Sequence, residues 1–578
     1  MAVILRVNMT DLSIRREEAD ERYRGLGGRG LTSAFVAAEV PPHCHPLSAA
    51  NKLIFAPGSL TGTGAPCSGR LSVGAKSPLT GTIKESNSGG MAAIDLAICG
   101  IQAIVVEGMA AAGSWYRLRV SHDQAVLEPA DAVAGLGNYD TVARQFELFG
   151  DKVSCISIGQ AGEMRAGSAS IAVTDVERRP TRHCGRGGLG AVMGSKGLKV
   201  IVVDPVGGQR PRPADMAGFR QGVQKFNEAL MSHPLTGEGL PKYGTNSLAN
   251  VINAAGGYPT RNFREGQFEG VEPISGERQH DVIVERGGQI AHACHRGCTI
   301  RCSRIYVDEH GEYLTKGPEY ETIWAHGANC GIDDLDAIAH MDRIDDDLGL
   351  DTIETGATIG VAMEAGIIPF GDVDGALRLL DEVRRGTPLG RLIAAGAEVL
   401  GRTYGIERVP TVKGQSMPAY DPRAIQGMGV TYATSTMGAD HTAGYAVTAN
   451  VLSVGGKVDP LRSEGQVELS RNLQIATTAI DTTGLCLFVA FAVLDNPAAL
   501  EGICEMLGGY FGRAVTAEDF LAMGTRTLAL ERAFNKAIGF TAAHDRLPEY
   551  FRTEKLAPHD ITFAVSDEEL DQVFAGIG

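Results

Sequence analysis

The sequence predicts an α+β fold, with a β-rich N-terminal domain followed by two mainly helical domains. Three observations carry this. Up to about Val206, runs of branched apolar residues alternate with glycine turns, as buried strands do. Residues 207–213 then shift to Gly, Gln, Arg and Pro, the composition of a linker. Beyond them, apolar residues recur at three-to-four spacing, the mark of helices with one buried face. At 578 residues the chain exceeds what a single core fills, and domains are expected at 1–208, 209–413 and 414–578.

In chain order, 51–56, 103–107 and 199–203 read as buried strands. Between them lie turn-rich stretches expected to act as ligand loops: 27–31, then 69–72, 76–81 and 86–90, then 184–196. Each joins glycine backbone to Arg, Lys, Asn or Ser, the equipment for holding phosphate. In the helical part, 217–231, 335–348, 376–385 and 389–399 are expected helices, and the tail after Asp545 reads as a surface ending. Glycine, at 74 residues, is in excess of the usual ~7%, which suits backbone that must approach a bulky ligand. A net charge of −16 argues against a general nucleic-acid binder. The N-terminus lacks the apolar length of a signal peptide, and the longest apolar run is too short for a bilayer, so a cytoplasmic protein is expected.

The chemistry centres on Cys294, Cys298 and Cys302, three thiols in nine positions. In a reducing compartment such a group points to metal, and a cubane iron–sulfur cluster needs a fourth thiolate, for which Cys486 is the best-placed candidate. The competing reading is three core cysteines on one helical face. Arg296, Arg301 and Arg304 form a basic collar, suited to docking an acidic electron carrier or to offsetting cluster charge.

A short frame occurs twice: Asp346-Asp347-Leu348-Gly349-Leu350-Asp351 and Asp481-Thr482-Thr483-Gly484-Leu485-Cys486. Glycine turns the backbone sharply after a helix, and an aspartate beside that turn accepts hydrogen bonds from ring N–H donors. Two such frames suggest two similar ligands, or two halves of one. Pro318 opens a helix that carries Glu321, a candidate general acid or base. His441 and Tyr420 are further candidates for proton transfer.

Taken together and in order, these motifs resemble the aldehyde:ferredoxin oxidoreductase family of tungsten (less often molybdenum) bis-pyranopterin enzymes. The resemblance implies that the β-rich domain is a base beneath the cofactor. It assigns Arg70, Lys76, Asn87, Gly89, Arg186 and Gly187 to the pterin phosphates and a bridging Mg2+. Asp346, Gly349, Leu350 and Asp351, and Asp481, Gly484 and Leu485, would hold one pterin each. Cys294, Cys298, Cys302 and Cys486 would bind a [4Fe-4S] cluster, with Glu321, His441 and Tyr420 beside the metal. An aldehyde-like substrate, a ferredoxin or iron–sulfur electron-transfer subunit, and a homodimer are the implied partners. Alternatives are a reductive aryl-CoA enzyme of the same family and a cluster-only electron-transfer subunit. The first cysteine gap is three residues here against two in the well-known enzymes, which points to a separate bacterial branch. The interfacial iron that some members hold through Glu-x-x-His is not expected.

Overall fold

The computed structural model describes residues 3–577. The N-terminal part holds two six-stranded sheets of identical topology. The first comprises β1 (Val3–Asn8), β2 (Ser13–Glu18), β3 (Leu53–Pro57), β4 (Leu71–Lys76), β5 (Ile83–Ser88) and β6 (Ile101–Glu107). The second comprises β7 (Tyr116–Ser121), β8 (Ala125–Pro129), β9 (Ser154–Ser157), β10 (Ile171–Val173), β11 (Arg182–Cys184) and β12 (Leu198–Asp204). Their strand orders are β2-β1-β6-β3-β4-β5 and β8-β7-β12-β9-β10-β11. In each sheet only the first and last strands pair in parallel. Helices also recur in register: Gly28–Glu39 matches Asn138–Phe149, and Ala92–Ile98 matches Leu189–Ser195. Side chains alternate faces along each strand. Leu5, Phe55 and Ile104 therefore enter a core shared with Leu118, Ile156 and Ile201 of the second sheet. Ile4, Ile54 and Val105 face the other way, onto Leu31, Phe35 and Val36 of Gly28–Glu39.

The expected helices at 217–231, 335–348 and 376–385 are present as Met216–Ser232, Leu335–Leu348 and Val373–Arg385. Four expectations need correction. The stretch 389–399 is two helices, Pro388–Ala394 and Ala397–Tyr404, broken at Gly396 (φ +103°) so that the Ala397 N–H reaches Glu354. The stretch 27–31 is the first turn of a helix rather than a free loop. The cysteine triplet lies outside any helix, between β13 (Gln289–His292) and β14 (Ser303–Val307) of a small antiparallel sheet completed by β15 (Tyr313–Lys316). Left-handed backbone at Gly297 and Arg301 interrupts any helical course between the cysteines. The C-terminal tail is core: Leu547, Phe551, Phe563 and Phe574 are buried in the cluster that runs through both helical segments.

Two seams join the sheets to the helical part. Before β4, residues 58–70 run along the second Asp-x-x-Gly-Leu frame: Leu60 N–H bonds Thr483 O (3.0 Å), Arg70 N–H bonds Gly484 O (3.1 Å), and Cys486 N–H bonds Cys67 O (2.9 Å). Before β10, residues 168–170 do the same at the first frame: Ser170 N–H bonds Gly349 O and Asp351 N–H bonds Ser168 O, both at 2.8 Å. Gly58 is required by this contact, since a Cβ there would stand 2.1 Å from Gly484 Cα. A buried ion pair locks the seam at the second frame. Arg29 donates to both oxygens of Glu531, at 2.9 Å each, and Ser33 and Thr436 fill the remaining acceptor sites. Removing one partner of a buried pair strands the other charge. Glu531→Ala is therefore expected to destabilise the chain by about 3–5 kcal/mol, read as a fall in the denaturation midpoint.

Candidate active site

Both seams border one cavity of about 370 Å³, lined by Asp346 and Asp481 together with Cys294, Cys302 and Cys486. Each aspartate occupies the last turn of a helix that ends on a left-handed glycine, Gly349 (φ +74°) or Gly484 (φ +80°). The glycine reverses the chain within one residue, which turns the aspartate inward. Cys298 stands beside Cys294: the ligand atoms of Cys294, His295 and Cys298 lie within 4.8 Å of one another. Residues 58–70 pin the segment carrying Cys486 into the same wall.

The two frames differ in charge. Asp346 accepts from Lys316 Nζ at 2.7 Å through both oxygens and from His183 Nε2 at 3.2 Å. Burial opposes its charge, but Lys316 and His183 outweigh this and hold its carboxyl below the usual range. Asp481 meets Asn87 at 3.2 Å and Arg29 at 3.4 Å. Burial pushes it up to about 6 despite Arg29 and Arg70. Its neighbour Glu85 is raised to about 7, by burial and then by the Asp481 charge.

A second cluster faces the cavity. Glu321 Oε1 lies 3.5 Å from His441 Nε2, and Tyr420 shares a 2.7 Å hydrogen bond with Tyr445. Burial raises Glu321 to about 8, although the Ala419 N–H at 3.0 Å works against it. Burial lowers His441 to about 4, against the pull of the Asp440 carboxylate. At neutral pH Glu321 is thus protonated and the imidazole neutral. Asp440 lies behind His441 and remains ionised against burial because Lys84, 3.2 Å away, and Arg186 hold its charge.

Of the residues singled out in the sequence, Arg70, Asn87, Gly89, Arg186, Leu350 and Asp351 also line the cavity. Gly187, Gly349, Gly484, Leu485 and Cys298 do not line it. Lys76 is elsewhere, its ammonium held by the carbonyls of Pro42 and Cys44. Arg186 uses its guanidinium on Asp351, Ala439 O and Ser416 O, so it works as a clasp between segments. By contrast, Arg70 makes no side-chain hydrogen bond among the described residues, and its Nε is buried. Arg304 is buried and donates to Cys302 O, leaving Arg296 and Arg301 as the exposed part of the basic collar. A Glu-x-x-His run does occur, Glu277-Arg278-Gln279-His280, on the helix Gly276–Glu285. Glu277 is bonded to Asn250 and His280 sits 3.0 Å from Asp281, and neither lines the cavity.

Sequence reasoning missed Cys67, Lys84, Glu85, Arg182, His183, Lys316 and Asp440. The one available signal was the repeat itself: Ser88-Gly89-Gly90 after β5 and Arg186-Gly187-Gly188 after β11 occupy equivalent positions. Aligning them places Lys84 and Arg182 in corresponding strands.

Comparison with known proteins fits this arrangement. Residues 4–205 match the family described as "Aldehyde ferredoxin oxidoreductase, N-terminal domain", and residues 221–575 match its "domains 2 & 3". The chain is 37% identical over 576 residues to the tungsten-containing aldehyde ferredoxin oxidoreductase of Pyrococcus horikoshii, covering 96% of this chain and 91% of that protein. The chain belongs to the aldehyde ferredoxin oxidoreductase family. It is accordingly an oxidoreductase. The Pyrococcus furiosus enzyme of the same description is 37% identical over 573 residues, covering 96% of this chain and 91% of that enzyme. The solved BamBC active-site complex of benzoyl coenzyme A reductase, with 1,5-dienoyl-CoA, shares the fold: TM-score 0.81 at 19% identity, covering all of this chain and 93% of that one.

The donor chemistry of this family member suits an anionic cofactor. Arg70 and Arg182 bring buried, unpartnered Nε–H groups to the cavity wall, and a Cβ at Gly89 would come within 2.9 Å of Cys294 Sγ. Among the described residues no helix is long and apolar enough to cross a membrane. Lys316 bridges Asp342 (2.9 Å) and Asp346, so Lys316→Met takes the shared ammonium from two buried carboxyls, Asp346 held below the usual range and Asp342 already pushed up to about 6 by burial. A depressed carboxyl contributes stability above its unfolded pKa and loses it as pH falls. The variant is expected to be destabilised by about 3–5 kcal/mol at pH 8, and the deficit should shrink toward pH 5 as the carboxyls take up protons. Thermal melts at both pH values measure this.

Proposed function

We propose that the chain is a tungsten (or molybdenum) bis-pyranopterin enzyme that oxidises an aldehyde to a carboxylic acid. Its electrons pass through a [4Fe-4S] cluster to a ferredoxin-like acceptor. The observation that carries this reading is the convergence on one cavity of both aspartate turns, the cysteine thiols and the Glu321–His441 pair. Asp346 and Asp481 would accept from the two pterin rings, and Arg70 and Asn87 would meet their phosphates and Mg2+. Cys294, Cys298, Cys302 and Cys486 would hold the cluster. When bound, the metal and its dithiolene sulfurs supply the two-electron chemistry.

The net reaction takes one oxygen from water and releases two electrons and two protons. The protein's task is to place the carbonyl and move those protons. Neutral His441 accepts or donates at Nε2 beside the substrate, while the Tyr420–Tyr445 hydroxyl pair stays protonated and orients the carbonyl oxygen. Glu321 serves as base toward water only once it has lost its proton. A base raised to about 8 makes the rate climb as pH rises from 7 to 9. Arg296 and Arg301, exposed near the cysteines, suit the docking of an acidic carrier.

Aldehyde-dependent reduction of a viologen dye by purified protein is the direct test. The proposal expects it, with a rising limb near pH 8 that disappears in Glu321→Gln along with a loss of about 10²–10⁴ in rate. Dye oxidation with an aryl-CoA thioester, without aldehyde oxidation, would favour the reductive alternative. Cys486→Ser is expected to abolish the cluster's visible absorption, and an unchanged spectrum would remove Cys486 from the ligand set.

A further inference from the structure

Cys67 is a fifth cysteine at the cluster site. It is fully buried, and its thiol lies beside that of Cys298 and 3.4 Å from Thr299 Oγ1. Its backbone joins the two ligand-bearing segments: the Cys67 N–H bonds Gly297 O in the triplet loop, and the Cys67 carbonyl accepts the N–H of Cys486, both at 2.9 Å. The residue holds a left-handed backbone (φ +57°) that a side chain rarely adopts. Such conformations persist where the surroundings over-determine them, and they cluster at functional sites. Cys298 already accepts one hydrogen bond, from the Arg301 N–H at 3.4 Å to Sγ. Either group can donate in the Thr299–Cys67 contact; with Thr299 Oγ1 as the donor, the Cys67 S–H is free to donate onward.

We propose that Cys67 is a tuning residue of the cluster: its S–H donates a hydrogen bond to the Cys298 sulfur and raises the cluster's reduction potential. The inference rests on the cluster reading given above. A hydrogen bond to a ligand sulfur favours the reduced state, which carries the extra negative charge. Loss of the donor therefore shifts the potential downward. Burial strengthens the effect, because little solvent screens it.

The test is an EPR-monitored redox titration, with iron analysis, of the full-length holoenzyme and of Cys67→Ala and Cys67→Ser. Cys67→Ala is expected to retain its iron and to titrate at a more negative potential than wild type. Cys67→Ser, which restores an O–H donor, is expected to return toward the wild-type value. An unchanged potential in Cys67→Ala with iron retained would overturn the proposal and leave the cluster reading intact. Iron loss in Cys67→Ala would also overturn it, since Cys67 would then be a ligand. Wild-type protein without an iron–sulfur signal would overturn both.

Discussion

The close backbone seams between the sheets and the helix ends set the geometry on which everything else depends. At Gly58 and Gly484 two segments of the chain approach so nearly that neither tolerates a side chain, and peptide hydrogen bonds run along the contact. Because the base is built from two sheets of one topology, each sheet delivers an equivalent segment to an equivalent Asp-x-x-Gly-Leu turn. The duplicated frame and the duplicated sheet are one device. The two like halves meet at one cavity, an arrangement that under the proposed function would suit a ligand with two like halves.

Repetition of the scaffold does not extend to the charges. Asp346 is fixed as an anion by Lys316 and His183, whereas Asp481 shares its surroundings with Glu85 and is pushed toward neutrality. The cysteines and Arg70 lie near the second frame, so the half next to the thiols is also the half whose carboxyls titrate most easily. On the substrate side, burial separates Glu321 and His441 from their ordinary pKa values in opposite directions, which keeps both neutral together. Pairs of groups driven apart in this way are where acid–base roles are found.

Much of this was legible in the sequence because it depends on local rules. Helical periodicity gave Leu335–Leu348, and glycine after a helix gave both turns, with their aspartates on the inner side. The clustered thiols drew attention to residues 294–302, and the ordered set of motifs marked the family. Long-range pairing was not legible. Arg29 read as part of a glycine loop, yet its partner Glu531 lies 502 residues away. Lys76 carries the right charge but spends it on nearby carbonyls, while Lys84, eight residues on, reaches Asp440. The triplet sat among helical patterns, and the competing reading of one helical face could not be set aside, because left-handed backbone at Arg301 has no signature in residue type. Cys67 was passed over because its relation to the other thiols arises only when residues 58–70 fold against both cysteine-bearing loops.

The central claim is that the paired turns hold one bis-pterin metal centre wired to a cubane cluster. Elemental analysis combined with pterin quantification, on protein produced with both tungstate and molybdate supplied, tests it most directly. The account predicts about one tungsten or molybdenum, about two pterins and about four irons per chain. Iron present without either heavy metal or pterin would contradict it.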